Sequence, residues 1–191
     1  TLFTLSSVMI VVNPIGAMMV YNSLTASMDS LTKKQVAVNA CRLSAIVLLF
    51  FTLFGSALLA LFGITIDAFT IAGGVLLFGM GMEMVYARTS RAKMTATEKY
   101  ESIDADEVSS MPLAFPMIAG PGTITTVIVL AKDAQPLVQP VFLGIIIFSV
   151  LITIILTYLL LVSAERYTHR IGQREYRVIN RLMGIMLMAI A

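Results

Sequence analysis

Two four-residue segments carry the chemistry that stands out in this chain: Asn13-Pro14-Ile15-Gly16 and Ala119-Gly120-Pro121-Gly122, each near the centre of a long apolar run. Proline inside a helix lacks the N–H that would bond four residues back, and its ring clashes with the preceding turn. It also pushes the residue before it, here Asn13 or Gly120, out of the helical region. Asn and Gly serve as N-caps, and Pro suits the first helical position after a cap. Each run therefore reads as two half-helices, the second beginning at Pro14 or Pro121.

Such a break frees backbone groups. The second half-helix leaves the N–H groups of Ile15, Gly16 and Ala17, or of Gly122, Thr123 and Ile124, without partners inside the helix. The positive end of the helix dipole reinforces them, which favours an anion or a carboxylate. The preceding half leaves carbonyls free around Val11 and Val12, or Ile118 and Ala119, which suit an ammonium group or a cation. Gly16 and Gly122 permit close approach at each break. Donors and acceptors side by side, with no Asp or Glu among them, fit a zwitterion better than a free ion. A plain kink is the competing reading of either motif alone. Two motifs at matching places favour a site.

Other side chains are weighed against structural roles. Glu83 is a carboxylate inside an apolar run, open to a coupling role with H+ or Na+. It also lies four residues from a loop, roughly 6 Å at helical rise, within reach of the interface. Both readings stand. Thr123 is nearest the free N–H groups and is the side-chain ligand candidate, whereas Thr in apolar helices commonly bonds its own turn. Arg181 reads as an interfacial anchor, and His169 lies in a basic loop. A single cysteine, Cys41, excludes a Cys-based metal site and a disulfide framework. There is no P-loop, no His/Glu metal spacing, no Ser/His/Asp set and no dinucleotide turn, so neither an enzyme nor a bound cofactor or metal is expected.

The elements that must position these residues follow from composition. Hydrophobic residues make up 58% of the chain and charged residues 13%, half the usual charge of a soluble domain. A chain of 191 residues keeps too much surface to hide that apolar content in water. A spanning helix needs roughly 20 apolar residues. Six runs qualify as candidates, at about Leu2–Leu24, Val38–Phe62, Ala68–Ala87, Met111–Ala131, Val138–Val162 and Val178–Ala191. The sixth is still apolar at Ala191 and short of a full span, so the expectation is a helix that continues beyond it. The runs lack the two-residue alternation of a β-barrel, and the first lacks the basic flank of a cleavable signal. An all-α membrane protein remains.

Twelve of the thirteen Lys/Arg residues fall in the second, fourth and sixth inter-span regions or at the adjoining span entrances when the N-terminus is counted as the first; Lys132 alone lies on the other side. The positive-inside rule then sets those connections in the cytoplasm and both termini outside, as for a multi-pass protein of the cell inner membrane. The same bias explains the basic patches without nucleic acid as a partner. Residues 88–110, with four basic and five acidic residues, form a charged cytoplasmic linker between residues 1–87 and 111–191, each with three spans. Three spans per half makes any internal similarity an inverted-topology repeat. Pro14 and Pro121 are 107 residues apart, and the Gly74 and Gly184 segments 110 apart.

At these residues the sequence resembles the MarC family of integral membrane proteins. The resemblance rests on Asn13-Pro14-Ile15-Gly16 with Ser23-Leu24-Thr25, on the stretch from Pro112-Leu113-Ala114 through Gly120-Pro121-Gly122 to Thr125, and on the Gly73-Gly74 and Met183-Gly184 segments. It covers essentially the whole chain. Where the family often shows a second proline soon after the first motif, Met19 stands here. The resemblance implies a transporter of small neutral amino acids such as glycine and alanine. The expected site comprises Asn13, Pro14, Ile15, Gly16, Ala119, Gly120, Pro121, Gly122 and Thr123, with Glu83 for coupling. The alternatives are a channel or exporter for another small solute, or a membrane-embedded protein without transport activity.

Overall fold

Apolar runs in a bilayer fold as helices because the interior offers no water to satisfy backbone N–H and C=O groups. The computed structural model describes residues 2–86, 108–132, 139–164 and 173–191, and no strand occurs among them. The elements are α1 (Leu2–Val12), α2 (Pro14–Leu24), α3 (Ser30–Leu61), α4 (Ile66–Val85), a wide-turned segment (Ser109–Ile118), α5 (Pro121–Lys132), α6 (Gln139–Val162) and α7 (Gln173–Ile190). Four stretches are long and apolar enough to cross a membrane: residues 2–24, α3, α4 and Pro140–Val162. The wide-turned segment and α5, bent by 50° at their junction, make a fifth if counted as one span. The apolar part of α7, Val178–Ile190, is shorter. The linker expected over residues 88–110 lies outside the described residues except for Val108–Ser110.

Helix ends follow their caps. The second span, α3, begins at Ser30, eight residues before the expected Val38, because Asp29 caps it. The Asp29 carboxylate accepts from the N–H groups of Leu31 (3.1 Å) and Thr32 (3.3 Å) and from the Thr32 hydroxyl. The polar first turns thus continue the helix past the apolar run. Thr65 caps α4 through the Ala68 N–H at 3.3 Å, and Lys132 at the end of α5 meets Asp67 at 3.4 Å.

The fourth span departs from expectation. A regular half-helix is expected before Gly120, but Ser109–Ile118 is irregular, with Met111 (φ −133°, ψ 129°) and Phe115 (φ −127°, ψ 128°) extended. Each is the residue before a proline, Pro112 or Pro116, and that position disfavours the helical region. The Phe115–Pro116 bond is cis. The Ala119 N–H bonds the Ala114 carbonyl five residues back, at 2.8 Å.

α3 packs on α6, on α5 and on the wide-turned segment; α1 and α2 pack on α6; α4 packs on α5 and α7. One core cluster runs through the bundle around Val8, Val36, Leu48, Leu113, Val127 and Ile146. Large apolar side chains also face outward, Ile71 at 70% and Phe148 at 65% exposure. Against water such a surface is unfavourable; against lipid it is matched.

Helices α4 and α7 cross backbone to backbone. A Cβ on Gly81 would lie 2.8 Å from the Gly184 carbonyl oxygen, and one on Gly184 equally near the Gly81 oxygen. One on Gly74 would lie 2.6 Å from the Ala191 oxygen. The two helices therefore run antiparallel, held close by small residues as membrane bundles are.

Candidate functional site: two helix breaks side by side

The first break sits at Asn13. Its backbone is left-handed (φ 48°, ψ 66°), and its side-chain oxygen accepts from the Gly16 N–H at 3.2 Å with Pro14 at the first helical position. The cap and the proline fall where the sequence sets them. The free N–H groups do not all follow. Gly16 is taken by the Asn13 side chain and Ala17 bonds the Asn13 carbonyl at 3.1 Å, so two of the three donors expected to be free in this turn are engaged. Among the described residues only Ile15 of that turn is left without an acceptor. A side chain at Gly16 would run into the cap itself, 2.4 Å from Asn13 Nδ2.

The second break is built differently. Gly120 presses against backbone: a Cβ there would lie 2.1 Å from the Pro116 carbonyl oxygen. Only glycine fits, and glycine brings no side chain to cap α5. Ile124 bonds the Gly120 carbonyl at 2.9 Å, correcting the expectation that it is free. The N–H groups of Gly122 and Thr123 have no acceptor among the described residues, and both residues are buried. The Thr123 hydroxyl donates to the Ile118 carbonyl at 3.1 Å, so that carbonyl is not free as expected. Thr125 and Thr126 donate to Pro121 and Gly122 carbonyls at 2.9 Å. The carbonyls of Val11, Val12 and Ala119 accept no hydrogen bond from the described residues.

The breaks lie beside each other against one face of α4. A Cβ on Gly122 would meet Leu77 Cδ2 at 2.4 Å and Val11 Cγ1 at 3.6 Å. Asn13 Nδ2 approaches the Met84 sulfur at 3.8 Å. Val11, Leu77 and Leu187 form a separate buried cluster in this region, with Met84 packed on it. Buried Ala119, Gly120, Gly122 and Thr123 stand on the α5 side, and buried Pro14 and Gly16 with half-buried Asn13 and Ile15 on the other. Glu83 is exposed on α4, turned away from this cluster, while its neighbour Met84 faces Asn13.

Leu77 and Met84 are the residues that sequence reasoning misses. The signal is present in retrospect: Gly73, Leu77, Gly81 and Met84 repeat at helical spacing on one face. Two of them are glycine, and the stripe reads as packing alone.

The profile described as MarC family integral membrane protein matches residues 2–191. A UPF0056 membrane protein of Methanocaldococcus jannaschii is 39% identical over 97% of this chain and 89% of its own length. One from Pyrococcus horikoshii is 36% identical over 95% and 85%, and UPF0056 membrane protein YhcE of Escherichia coli is 32% identical over 94% and 82%. No solved structure matches the chain.

Proposed function

We propose that this chain, which belongs to the MarC family of integral membrane proteins, is a secondary transporter of small neutral amino acids across the cytoplasmic membrane. The observation that carries the reading is the pair of buried N–H groups at Gly122 and Thr123, without acceptors among the described residues, at a helix start inside an apolar slab. Unsatisfied buried donors are unfavourable, and a helix N-terminus is matched to a carboxylate. The open carbonyls of Val11, Val12 and Ala119 would receive the ammonium. In this reading Leu77 lies over Gly122 until substrate displaces it.

The reading includes six spans, both termini outside and two inverted three-span repeats. The helix pairings support the repeats. Exchanging the halves turns the α1–α6 contact into the contact of the wide-turned segment with α3, and the α2–α6 contact into the α5–α3 contact. A shift of 110 residues, Gly74 to Gly184, also turns the Gly74–Ala191 approach into Gly184–Gly81. Such exchange is what an inverted repeat produces.

The test is uptake of labelled glycine and alanine into proteoliposomes, with glycine amide as competitor. Glycine amide keeps the ammonium and lacks the carboxylate, so it competes poorly; equal competition removes the carboxylate from the helix start. Gly122→Val abolishes uptake by filling the approach to the two N–H groups. If Gly122→Val stops flux of some other solute while no neutral amino acid binds, the substrate class is wrong. Orientation is read from a cysteine at Ser102 in a Cys41→Ser background. Labelling by an impermeant reagent in intact cells contradicts a cytoplasmic linker.

A further inference from the structure

A second polar feature lies at the far end of α2 from the Asn13 break. A cleft opens between α2, the start of α3 and the end of α6, lined by Tyr21, Asn22, Ser30, Lys33, Lys34 and Leu161. Its floor is fixed. The Tyr21 hydroxyl donates to the Lys33 carbonyl at 2.8 Å, tying α2 to α3. Thr25, fully buried, donates to the Tyr21 carbonyl at 2.8 Å. Three helix ends meet here, Leu24, Ser30 and Val162, so the cleft sits where spanning helices leave the hydrocarbon, at headgroup depth.

Its two sides differ in chemistry. One carries the Lys33 and Lys34 ammonium-bearing chains with the donors of Asn22 and Ser30. Among the described residues, the Asp29 carboxylate is turned into the first turn of α3, accepting from Leu31 and Thr32. The other side is apolar, with buried Leu161 and with Val162, 45% exposed to the surroundings. Cationic donors beside an apolar wall that opens to the membrane match a phosphate joined to an acyl chain. Basic pockets between spanning helices at headgroup level are such sites. A free phosphate would use the lysines and leave the wall idle. We propose that this cleft binds the headgroup phosphate of an anionic phospholipid, with an acyl chain along Val162. The proposal needs only a membrane-embedded chain and is independent of the transport reading.

The experiment measures lipid retained by purified protein, by native mass spectrometry, from mixed micelles of phosphatidylglycerol and phosphatidylcholine. Wild type retains phosphatidylglycerol selectively. The double variant Lys33→Gln/Lys34→Gln binds it about thirtyfold more weakly, from two lysines at about 1 kcal/mol each. Asn22→Trp keeps both charges and fills the cleft, and it loses the lipid as well. Lys34→Gln alone, at an exposed side chain, reports a partial loss if the double variant fails to fold. Retention unchanged in Asn22→Trp means general surface charge and overturns the cleft site. Competition by inorganic phosphate as effective as added phosphatidylglycerol means a free-phosphate site and overturns the lipid assignment. Equal retention of the two lipids overturns both.

Discussion

Replacing Gly120 with alanine tests how the second break is held. The added Cβ would lie 2.1 Å from the Pro116 carbonyl oxygen and 3.2 Å from its carbon. An ordinary carbon–oxygen contact is about 3.3 Å, so the overlap is roughly 1.2 Å. The obstacle is backbone, and two hydrogen bonds hold the turn around it, Ala119 to Ala114 and Thr123 to Ile118. Overpacking costs about 1–3 kcal/mol, and a rigid obstacle belongs at the upper end, about 3 kcal/mol. For a chain of this size about 3 kcal/mol lowers the midpoint by about 6–12 °C. Gly122→Ala is the internal comparison. Its Cβ also arrives close, 2.4 Å from Leu77 Cδ2, but that is the far end of a flexible side chain. A loss of about 1 kcal/mol is expected there. Thermal unfolding of the purified variants in one detergent reads both. A Gly120→Ala protein that melts with wild type, or no lower than Gly122→Ala, would refute the tight turn at Pro116.

Three further outcomes follow from the same geometry. Asn13→Ala loses the cap to Gly16, about 1 kcal/mol, and strains a left-handed backbone by about 1 kcal/mol more, whereas Asn13→Gly loses only a few tenths; equal melting of the two variants contradicts the cap geometry. Gly81→Ala pushes α4 from α7 and destabilises by about 1–3 kcal/mol, while Gly79→Ala, with nothing within 4 Å of its added Cβ, stabilises by about 0.5–1 kcal/mol through helix propensity; a Gly81→Ala protein as stable as Gly79→Ala places the crossing elsewhere. The Thr32 hydroxyl and the Thr32 and Leu31 N–H groups hold the Asp29 carboxyl below its ordinary range, so its contribution is full above that range and is lost as pH falls through the lowered value; Asp29→Asn, still a cap, should flatten this acid limb in melting scans from about pH 7 to about pH 3.

The helical class and the two break positions were legible because hydropathy and proline act locally. Asn13 and Pro14 cap and start α2 where their types require. The start of α3 was not legible from hydropathy, since Asp29 sets it through hydrogen bonds and Ser30–Ala37 need not be apolar to be helical. Pro112 and Pro116 were in view, yet their effect falls on the residues before them, Met111 and Phe115, and unwinds a segment that composition makes look spanning. Leu77 was beyond reach for another reason. Its place over Gly122 depends on how α4 docks on α5, a tertiary fact that no local pattern in α4 encodes.

The two breaks are alike in sequence logic and unlike in consequence. Asparagine at the first brings its own acceptor, so the start of α2 is closed by a side chain three residues away. Glycine at the second is required by the Pro116 carbonyl, and the glycine that the turn demands has no side chain with which to cap. The start of α5 therefore leaves the Gly122 and Thr123 donors without acceptors among the described residues because of the turn that precedes it. Pro116 thus acts at a distance. By forcing Phe115 out of the helix it brings its own carbonyl against Gly120, which excludes a capping side chain and leaves two N–H groups open, among the described residues, to something other than the protein. If that something is a carboxylate, the first break orders the scaffold and the second binds, and loss-of-function substitutions should concentrate around Gly120–Thr123 rather than divide evenly between the repeats.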